Sequence, residues 1–497
     1  MHSRIFKGFF AVFLLIATVV FFAFQPHPQK VANPNIVLIL MDDMGYGDPV
    51  FNAGIGYLTP NMDKLAADGM RFTNFYAAQP VCTASRAGIL TGCYPNRIGM
   101  YGAFSPWTKD ALNPKEETIA SLLKKEGYRT CMVGKWGLGG LPPFTPIHYG
   151  FDKYLGLLYS NDMWPYTNEG VPVTDTNSIL YKEPRLALYN GDDVAKYIET
   201  MEDQGQLTRD YTKFACNFIR ENKGNPFFLY VAHSMMHIPI ACSPEFRGKS
   251  KAGLFGDVIE EVDWSVGQII QTLKETGADK NTLIVFTSDN GPWLNYGNYA
   301  GNTAGLREGK GTNFEGGIRV PGVINWPGRV PKGTVCNKIV SAIDLLPTFA
   351  GISGTPLPER KIDGVDILPL LLNDLNAEPR TEFVYYYQKN SLEAIRKDQW
   401  KLVFPHTSKS YKVYPPGNDG KRGRIAEVKV PGALYNLSVD PGETFDVQEQ
   451  HPDIVKQLNE IANQYRHELG DDLTNTKGVG TRLPAICEPC KTNFRKP

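Results

Sequence analysis

The sequence predicts an α/β protein in which a large domain with a doubly wound, mostly parallel sheet is followed by a smaller C-terminal antiparallel sheet with a helix. Three observations carry this. Continuous apolar runs of strand length occur through the first two thirds of the chain, the pattern of strands buried on both faces of a sheet. Segments with helical apolar periodicity alternate with them, and repeated helix-then-strand units wind into parallel sheets. After about residue 375 the texture changes to short strands of a different kind. At 497 residues the chain is too long for one ordinary core; we divide it into an export segment and linker (1–32), a large domain (33–375) and a smaller α+β part with a tail (376–497).

The elements follow in order. Residues 35–41, N-I-V-L-I-L-M, form a strand without a polar interruption after its first residue. Residues 118–126 carry Ile119, Leu122 and Leu123 and stop at Gly127, which predicts a helix ahead of a strand at 130–133. A helix at 210–221 leads to a strand at 227–231. Val258, Ile259, Val262, Val266, Ile269, Ile270 and Leu273 repeat at helical spacing, and a strand at 282–287 follows. In the last part, 383–387, 393–396, 400–404 and 433–437 are short antiparallel strands and 452–468 a helix. This small sheet forms one wall of a cleft, and Arg396, Lys401 and His406 are expected at its surface, within reach of a ligand.

Polar groups cluster just past the strands: Asp42-Asp43, Lys135, His233 with His237, and Asp289-Asn290. Taken singly, each is an ordinary turn residue. Together they meet at the carboxyl edge of one sheet, where open α/β sheets bind ligands. Asp42, Asp43, Asp289 and Asn290 are hard oxygen donors that suit Ca2+, or Mg2+, better than a soft metal. Zinc needs imidazoles or thiolates. His233 and His237 have the spacing of a zinc pair only on a helix, and Pro239 argues against one.

The segment C-T-A-S-R-A-G-I-L-T-G at 82–92 is the most specific in the chain. A helix opening there puts position 82 at the positive end of the helix dipole, which favours an anion. Arg86 follows one turn later with a planar fork suited to tetrahedral oxyanions. The alternative is a buried structural cysteine.

Composition narrows the class. Lys plus Arg and Asp plus Glu are both 52, so no global basic field points to nucleic acid or an anionic membrane surface. Arg4 and Lys7 precede the apolar run 9–24, which reads as an export signal to the periplasm or exterior; with no small-x-small cleavage site, an uncleaved anchor is the alternative. Eight cysteines do not make a disulfide scaffold, though Cys487 and Cys490 are spaced for a short disulfide in an oxidising compartment.

From about residue 33 to 458 the chain resembles the type I sulfatases of the arylsulfatase A and N-acetylgalactosamine-6-sulfatase group, within the alkaline phosphatase superfamily. The matching stretches are M-D-D-M-G-Y-G-D (41–48), T-P-N-M-D-K-L-A-A-D-G-M-R-F-T-N-F-Y (59–76), the segment at 82–92, M-V-G-K-W (132–136), H-I-P (237–239), F-T-S-D-N-G-P (286–292) and G-K-G-T-N-F-E-G-G-I-R-V-P (309–321). The resemblance implies sulfate-ester hydrolysis through a formylglycine made from Cys82, beside Ca2+ held by Asp42, Asp43, Asp289 and Asn290. It implies that Arg86 orients the modified residue, that Lys135 and Lys310 hold sulfate oxygens, and that His237 protonates the leaving alcohol. Ser160, in L-Y-S-N-D, matches a weaker position near the sulfate, and His233 is a second weak candidate for substrate contact. A sulfated carbohydrate substrate and a formylglycine-generating maturation enzyme are the expected partners. Ala84, where many relatives have Pro, suggests maturation by the anaerobic radical type of that enzyme.

One departure stands out: where this family has G-K-W-H-L-G, residues 134–139 read G-K-W-G-L-G. Gly137 offers no imidazole for the proton lost at sulfate release. His148, His233, Asp43 or water is expected to take that role. A phosphate mono- or diesterase of the same superfamily and a non-catalytic sulfated-glycan binder remain the competing classes.

Overall fold

The computed structural model describes residues 33–374 and 376–487. The export segment at 1–32 lies outside the described residues, as does Cys490 of the expected C-terminal cysteine pair. The large sheet has eleven strands. Those that position the site are β1 (Asn35–Met41), β2 (Met70–Tyr76), β3 (Arg129–Gly134), β4 (Lys153–Gly156), β5 (Leu186–Asn190), β6 (Asp193–Ile198), β7 (Phe227–Ala232), β8 (Thr282–Ser288) and β9 (Arg319–Asn325). Its centre runs β8-β1-β7-β3-β4, all parallel. The expected core of a doubly wound sheet is therefore present.

Strand β1 shows why its uninterrupted apolar run is a strand. Ile36, Leu38 and Leu40 enter the core on one face of the sheet, and Val37, Ile39 and Met41 the core on the other. All six are fully buried, and each such side chain contributes on the order of 1.5–3 kcal/mol. Asn35, the polar first residue, ties the strand starts together by donating to Thr282 Oγ1 (3.2 Å) and accepting from the Phe227 N–H (3.3 Å).

Five helices matter below: α1 (Cys82–Thr91), α2 (Ile119–Lys125), α3 (Met201–Glu221), α4 (Gly253–Thr276) and α5 (Pro452–Leu469). Helices α1 and α2 cover one face of the sheet and α3 and α4 the other. The periodic residues of α4 are buried except Ile270, which is half-buried. Helix α3 starts nine residues before the expected Asp210. Thr200 caps it, accepting from the Asp203 N–H (3.1 Å) while Asp203 returns a bond to the Thr200 N–H (3.0 Å). This capping box was legible as T-x-x-D but lies ahead of the strongly apolar part of the helix.

Both sheet margins depart from the parallel expectation. Strand β9 pairs antiparallel with β8 and β2, and β5 and β6 form an antiparallel hairpin beyond β4, turning at Gly191, which has a left-handed backbone. Antiparallel edge strands on a parallel core are common in large sheets. None of these four had a continuous apolar run long enough to announce it.

The C-terminal part matches the short strands expected. Strands β10 (Glu382–Tyr387), β11 (Ser391–Lys397), β12 (Trp400–Val403) and β15 (Ala433–Asn436) make a four-stranded antiparallel sheet, and β13 (His406–Ser410) pairs with β14 (Ala426–Val430) in a separate ribbon. Residues of β10, β11, β12 and α5 share one continuous core with β1, α1 and α2.

Arg396, Lys401 and His406 are corrected by the structure: all three are buried rather than exposed. Lys401 lies between Glu315 (3.1 Å) and Glu443 (2.8 Å), Arg396 bonds Tyr76 and Asn74, and His406 lies 3.5 Å from Glu393. Lys401 and Arg396 join the small sheet to the large domain, and His406 joins the ribbon to the small sheet.

Burial pushes the Glu393 carboxyl up to about 8 despite the hydrogen bond it accepts from Asn313 Nδ2 (3.0 Å). Its unfolded value is near 4.5, so the folded state is favoured below that value and loses this advantage as pH rises through about 8. Glu393→Gln keeps the acceptor and removes the titration. The drop in melting temperature between pH 5 and pH 8 is expected to be smaller for Glu393→Gln than for the wild-type protein.

Candidate active site

The strands of the central sheet end level with one another. Met41 pairs with Ser288, and Gly134 with Ala232, so the residues that follow emerge side by side. Asp42, Asp43, Asp289, Asn290 and Lys135 are all buried at that edge. Asp43 has a left-handed backbone (φ 60°), a conformation Asp tolerates better than most residues. Its N–H donates to Asp289 Oδ1 (3.2 Å), and Asn290 Nδ2 donates to Asp43 Oδ1 (2.6 Å).

Helix α1 brings one of three cations. Its N-cap, Val81, supplies no side-chain acceptor, so the helix presents N–H groups and its positive dipole end to the pocket where Cys82 begins it. Arg86, one turn on and fully buried, donates from Nε to Asp289 Oδ2 (2.9 Å) and from a terminal nitrogen to the Lys135 carbonyl (2.7 Å). The same guanidinium lies 3.3 Å from Asp42 Oδ2. Lys135 Nζ donates to Asp42 Oδ2 (2.5 Å), and Lys310 Nζ reaches both oxygens of Asp43 (2.8 and 2.9 Å). Three carboxylates thus meet three cations.

That balance sets the protonation states. Burial works to protonate Asp42, but Lys135 and Arg86 hold it well below the usual carboxylate range. Burial and the Asp42 charge push Asp289 up. Burial also raises the Cys82 thiol, with Lys135 and Lys310 only partly opposing it.

Two buried oxygens, Asp42 Oδ1 and Asn290 Oδ1, have no hydrogen-bond partner. One oxygen each from Asp42 and Asp43 and a ring nitrogen of His237 all lie within 4.8 Å of one another. Unpaired oxygens in a carboxylate cluster are what a hard divalent cation fits.

His237 and Ser160 complete the group. Ser160 Oγ lies 3.3 Å from both Lys135 Nζ and His237 Nδ1, and His237 Nε2 is 3.8 Å from Asp43 Oδ2. Burial and Lys310 lower the His237 pKa.

His233 is not brought to the site. Its Nε2 lies 3.3 Å from Ser265 Oγ on α4 and its ring packs near Tyr211 on α3, so it points to the far face of the sheet. Burial there lowers it to about 4. His148 pairs with Asp192 at the surface (3.1 Å). Neither ring comes near position 137, which leaves Asp43 and water of the four groups expected. Of the remaining described histidines, His406 faces Glu393, His451 packs at a tilt against Trp400 and His467 lies in the last turn of α5. Gly137 itself has a left-handed backbone (φ 77°), and its carbonyl accepts from Thr83 Oγ1 (2.8 Å). A Cβ there meets only Arg86 Cδ at 3.5 Å and Thr83 Oγ1 at 3.8 Å.

Sequence reasoning placed the small sheet at one wall but named none of the side chains that line it. Tyr387, at the end of β10, packs on the cluster of Val81, Cys82 and Ala84. Trp293 lies under Lys310 (4.6 Å from Nζ to the ring centre) and beside His237 (5.5 Å between rings). Tyr411 donates its hydroxyl to the Lys310 carbonyl (2.5 Å). All three come from loops or strand ends that carry no periodic signal. Trp293, directly after F-T-S-D-N-G-P, was the one position adjacent to a recognised motif.

The sheet edge gathers buried carboxylates and cations that could hold an anionic ligand, and comparison with known proteins identifies the family. Residues 34–355 match the sulfatase family and residues 379–496 the C-terminal region of aryl-sulfatase. The chain is 36% identical to bovine arylsulfatase A over 92% of this chain and 94% of that protein. It is 34% identical to mouse N-acetylgalactosamine-6-sulfatase over 88% and 86%. The crystal structure of PsFucS1 sulfatase from Pseudoalteromonas sp. superposes with a TM-score of 0.80 at 30% identity, covering 88% of this chain and 90% of that one. The chain belongs to the sulfatase family, with its alkaline-phosphatase-like fold, and is a sulfuric ester hydrolase.

The room at Gly137 yields a test. Gly137→His places a side chain on a left-handed backbone at a cost of roughly 1–2 kcal/mol, so the melting temperature is expected to fall slightly. Because the Cβ position at 137 meets no described imidazole, kcat for sulfate-ester hydrolysis is expected to rise. An unchanged kcat shows that turnover needs no imidazole at this position.

Proposed function

We propose that this enzyme removes sulfate from a sulfated carbohydrate, using a formylglycine generated from Cys82 next to a Ca2+ ion. The observation that carries the reading is the buried Cys82 opening helix α1 one turn before Arg86, which bonds Asp289, at a sheet edge where Asp42 Oδ1 and Asn290 Oδ1 have no hydrogen-bond partner. The name of one relative, N-acetylgalactosamine-6-sulfatase, supports a sugar sulfate as substrate. The apolar run at 9–24 supports export to where such polymers are met.

In this reading Asp42, Asp43, Asp289 and Asn290 hold the cation. Bound there, the ion would withdraw charge from the sulfate oxygens, and a formylglycine at position 82 would supply the attacking hydroxyl. Lys135 on Asp42 and Lys310 on Asp43 stabilise charge that grows on the sulfate oxygens. Arg86 locks Asp289 and the Lys135 backbone, and so fixes the helix start against the sheet edge. His237 is assigned to the leaving oxygen, with Ser160 orienting its ring.

Mass spectrometry of the peptide containing Cys82, from protein made in its own host, is expected to find the aldehyde. Active enzyme with an intact thiol at Cys82 overturns the mechanism. Chelation is expected to lower both activity and melting temperature, because the buried oxygens Asp42 Oδ1 and Asn290 Oδ1 lose their partner and ligand binding no longer favours the folded state. Ca2+ restores both and Zn2+ does not; restoration by zinc alone favours a phosphatase-like site. Lys135→Ala and Lys310→Ala are each expected to lower kcat by about 10² to 10³, the typical effect of removing one transition-state donor.

A further inference from the structure

The ribbon β13–β14 and the loop between its strands carry cations that the catalytic reading does not use. Lys409, on β13, lies beside the Lys310 loop: a Cβ built on Gly311 comes within 3.2 Å of Lys409 Nζ and 2.9 Å of the Tyr387 hydroxyl. The Lys409 Nζ is 5.9 Å from the Tyr387 ring centre, and Tyr387 packs on Cys82. Arg422, in the following loop, is exposed and lies over the Trp293 ring at 5.2 Å, the same ring that Lys310 and His237 approach.

Two features separate this pair from ordinary surface charge. Neither head group has a carboxylate within 4 Å among the described residues; Glu427, opposite Lys409 in the ribbon, stays beyond that distance. The loop is also held in place. Gly417 and Gly423 both donate backbone N–H groups to the Asn295 carbonyl (2.8 Å each), Asn295 Nδ2 donates to the Gly423 carbonyl (3.0 Å), and Asn298 Nδ2 donates to Asp419 (2.8 Å). Burial and the neighbouring Arg422 and Lys310 charges lower the Lys409 pKa. Like charges held near one another on a fixed frame repel, and an arriving anion relieves that repulsion.

Resting on the sulfatase reading above, we propose that Lys409 and Arg422 form a second anion subsite beside the scissile sulfate, so that the preferred substrate is a sugar carrying two negative groups. The second group is a sulfate or a carboxylate; both are oxyanions that Lys and Arg bind.

Three probes decide this: a hexosamine monosulfate, the corresponding disulfate, and a monosulfated hexosamine linked to a hexuronate. For each, kcat/KM is measured as a ratio to that for a small aryl sulfate, in wild-type protein and in Lys409→Ala, Arg422→Ala and the double variant. A charged hydrogen bond is worth roughly 10- to 100-fold. The wild-type ratio for one doubly anionic probe is expected to exceed that for the monosulfate by that factor, and the double variant to lose the excess, mainly through KM and more strongly at low salt. Lys409→Arg is expected to retain it. Which probe shows the excess distinguishes sulfate from carboxylate. Equal ratios for all probes, or an excess that survives in the double variant, overturn the proposal. If wild-type protein cleaves no sulfate ester, the sulfatase reading falls, and calorimetric binding of the disulfate and the hexuronate probe decides the subsite alone. Weaker binding by the double variant supports it; unchanged or absent binding of both overturns it.

Discussion

Three acids and three bases share a space that water barely enters: Asp42, Asp43 and Asp289 against Arg86, Lys135 and Lys310, all buried. Taking charges out of water costs several kcal/mol per ion, and only mutual contact offsets this. The contacts cross the molecule. Arg86 belongs to α1, Lys135 follows β3, the acids follow β1 and β8, and Lys310 sits in the loop ahead of β9. Each pairing therefore fixes one piece of chain relative to another. Removing one member leaves an opposite charge stranded, typically a loss of about 3–5 kcal/mol. The charge network that gives the site its chemistry also fixes helix to sheet.

A second buried network does the same for the C-terminal sheet. Lys401 is shared by Glu315, just before β9, and Glu443, beyond β15. Tyr76 at the end of β2 donates to Glu315 (2.7 Å), and Arg396 reaches Tyr76 in turn. Strand β10 is thereby held so that Tyr387, at its last residue, rests on the start of α1. The small sheet bears on catalysis through this placement.

The parallel centre of the sheet and the acidic edge were legible because both are written locally. Strand β1 reads directly from its apolar run, and the metal-type acids stand in the two residues after β1 and β8. The periodic face of α4 was equally plain. The antiparallel margins were not, since β2, β5, β6 and β9 are short or interrupted and owe their form to neighbours far away in sequence. His233 illustrates the same limit at the site. It follows a strand end just as Lys135 does, yet its ring falls on the α3 and α4 side, a difference set by backbone direction rather than residue type. Lys401 was misread because a buried charge is invisible in sequence until its partners, here Glu315 and Glu443, are brought to it.

The loop after β13 is fastened to Asn295 through main-chain groups of two glycines, Gly417 and Gly423. Main-chain fastening does not depend on which side chains the rest of the loop carries. The outer rim of the cleft is therefore free to drift in composition across descendants of this chain while its path over Trp293 stays fixed. New selectivity for the sugar around the ester can arise there by single exchanges, without disturbing the inner charges on which folding and turnover both rely.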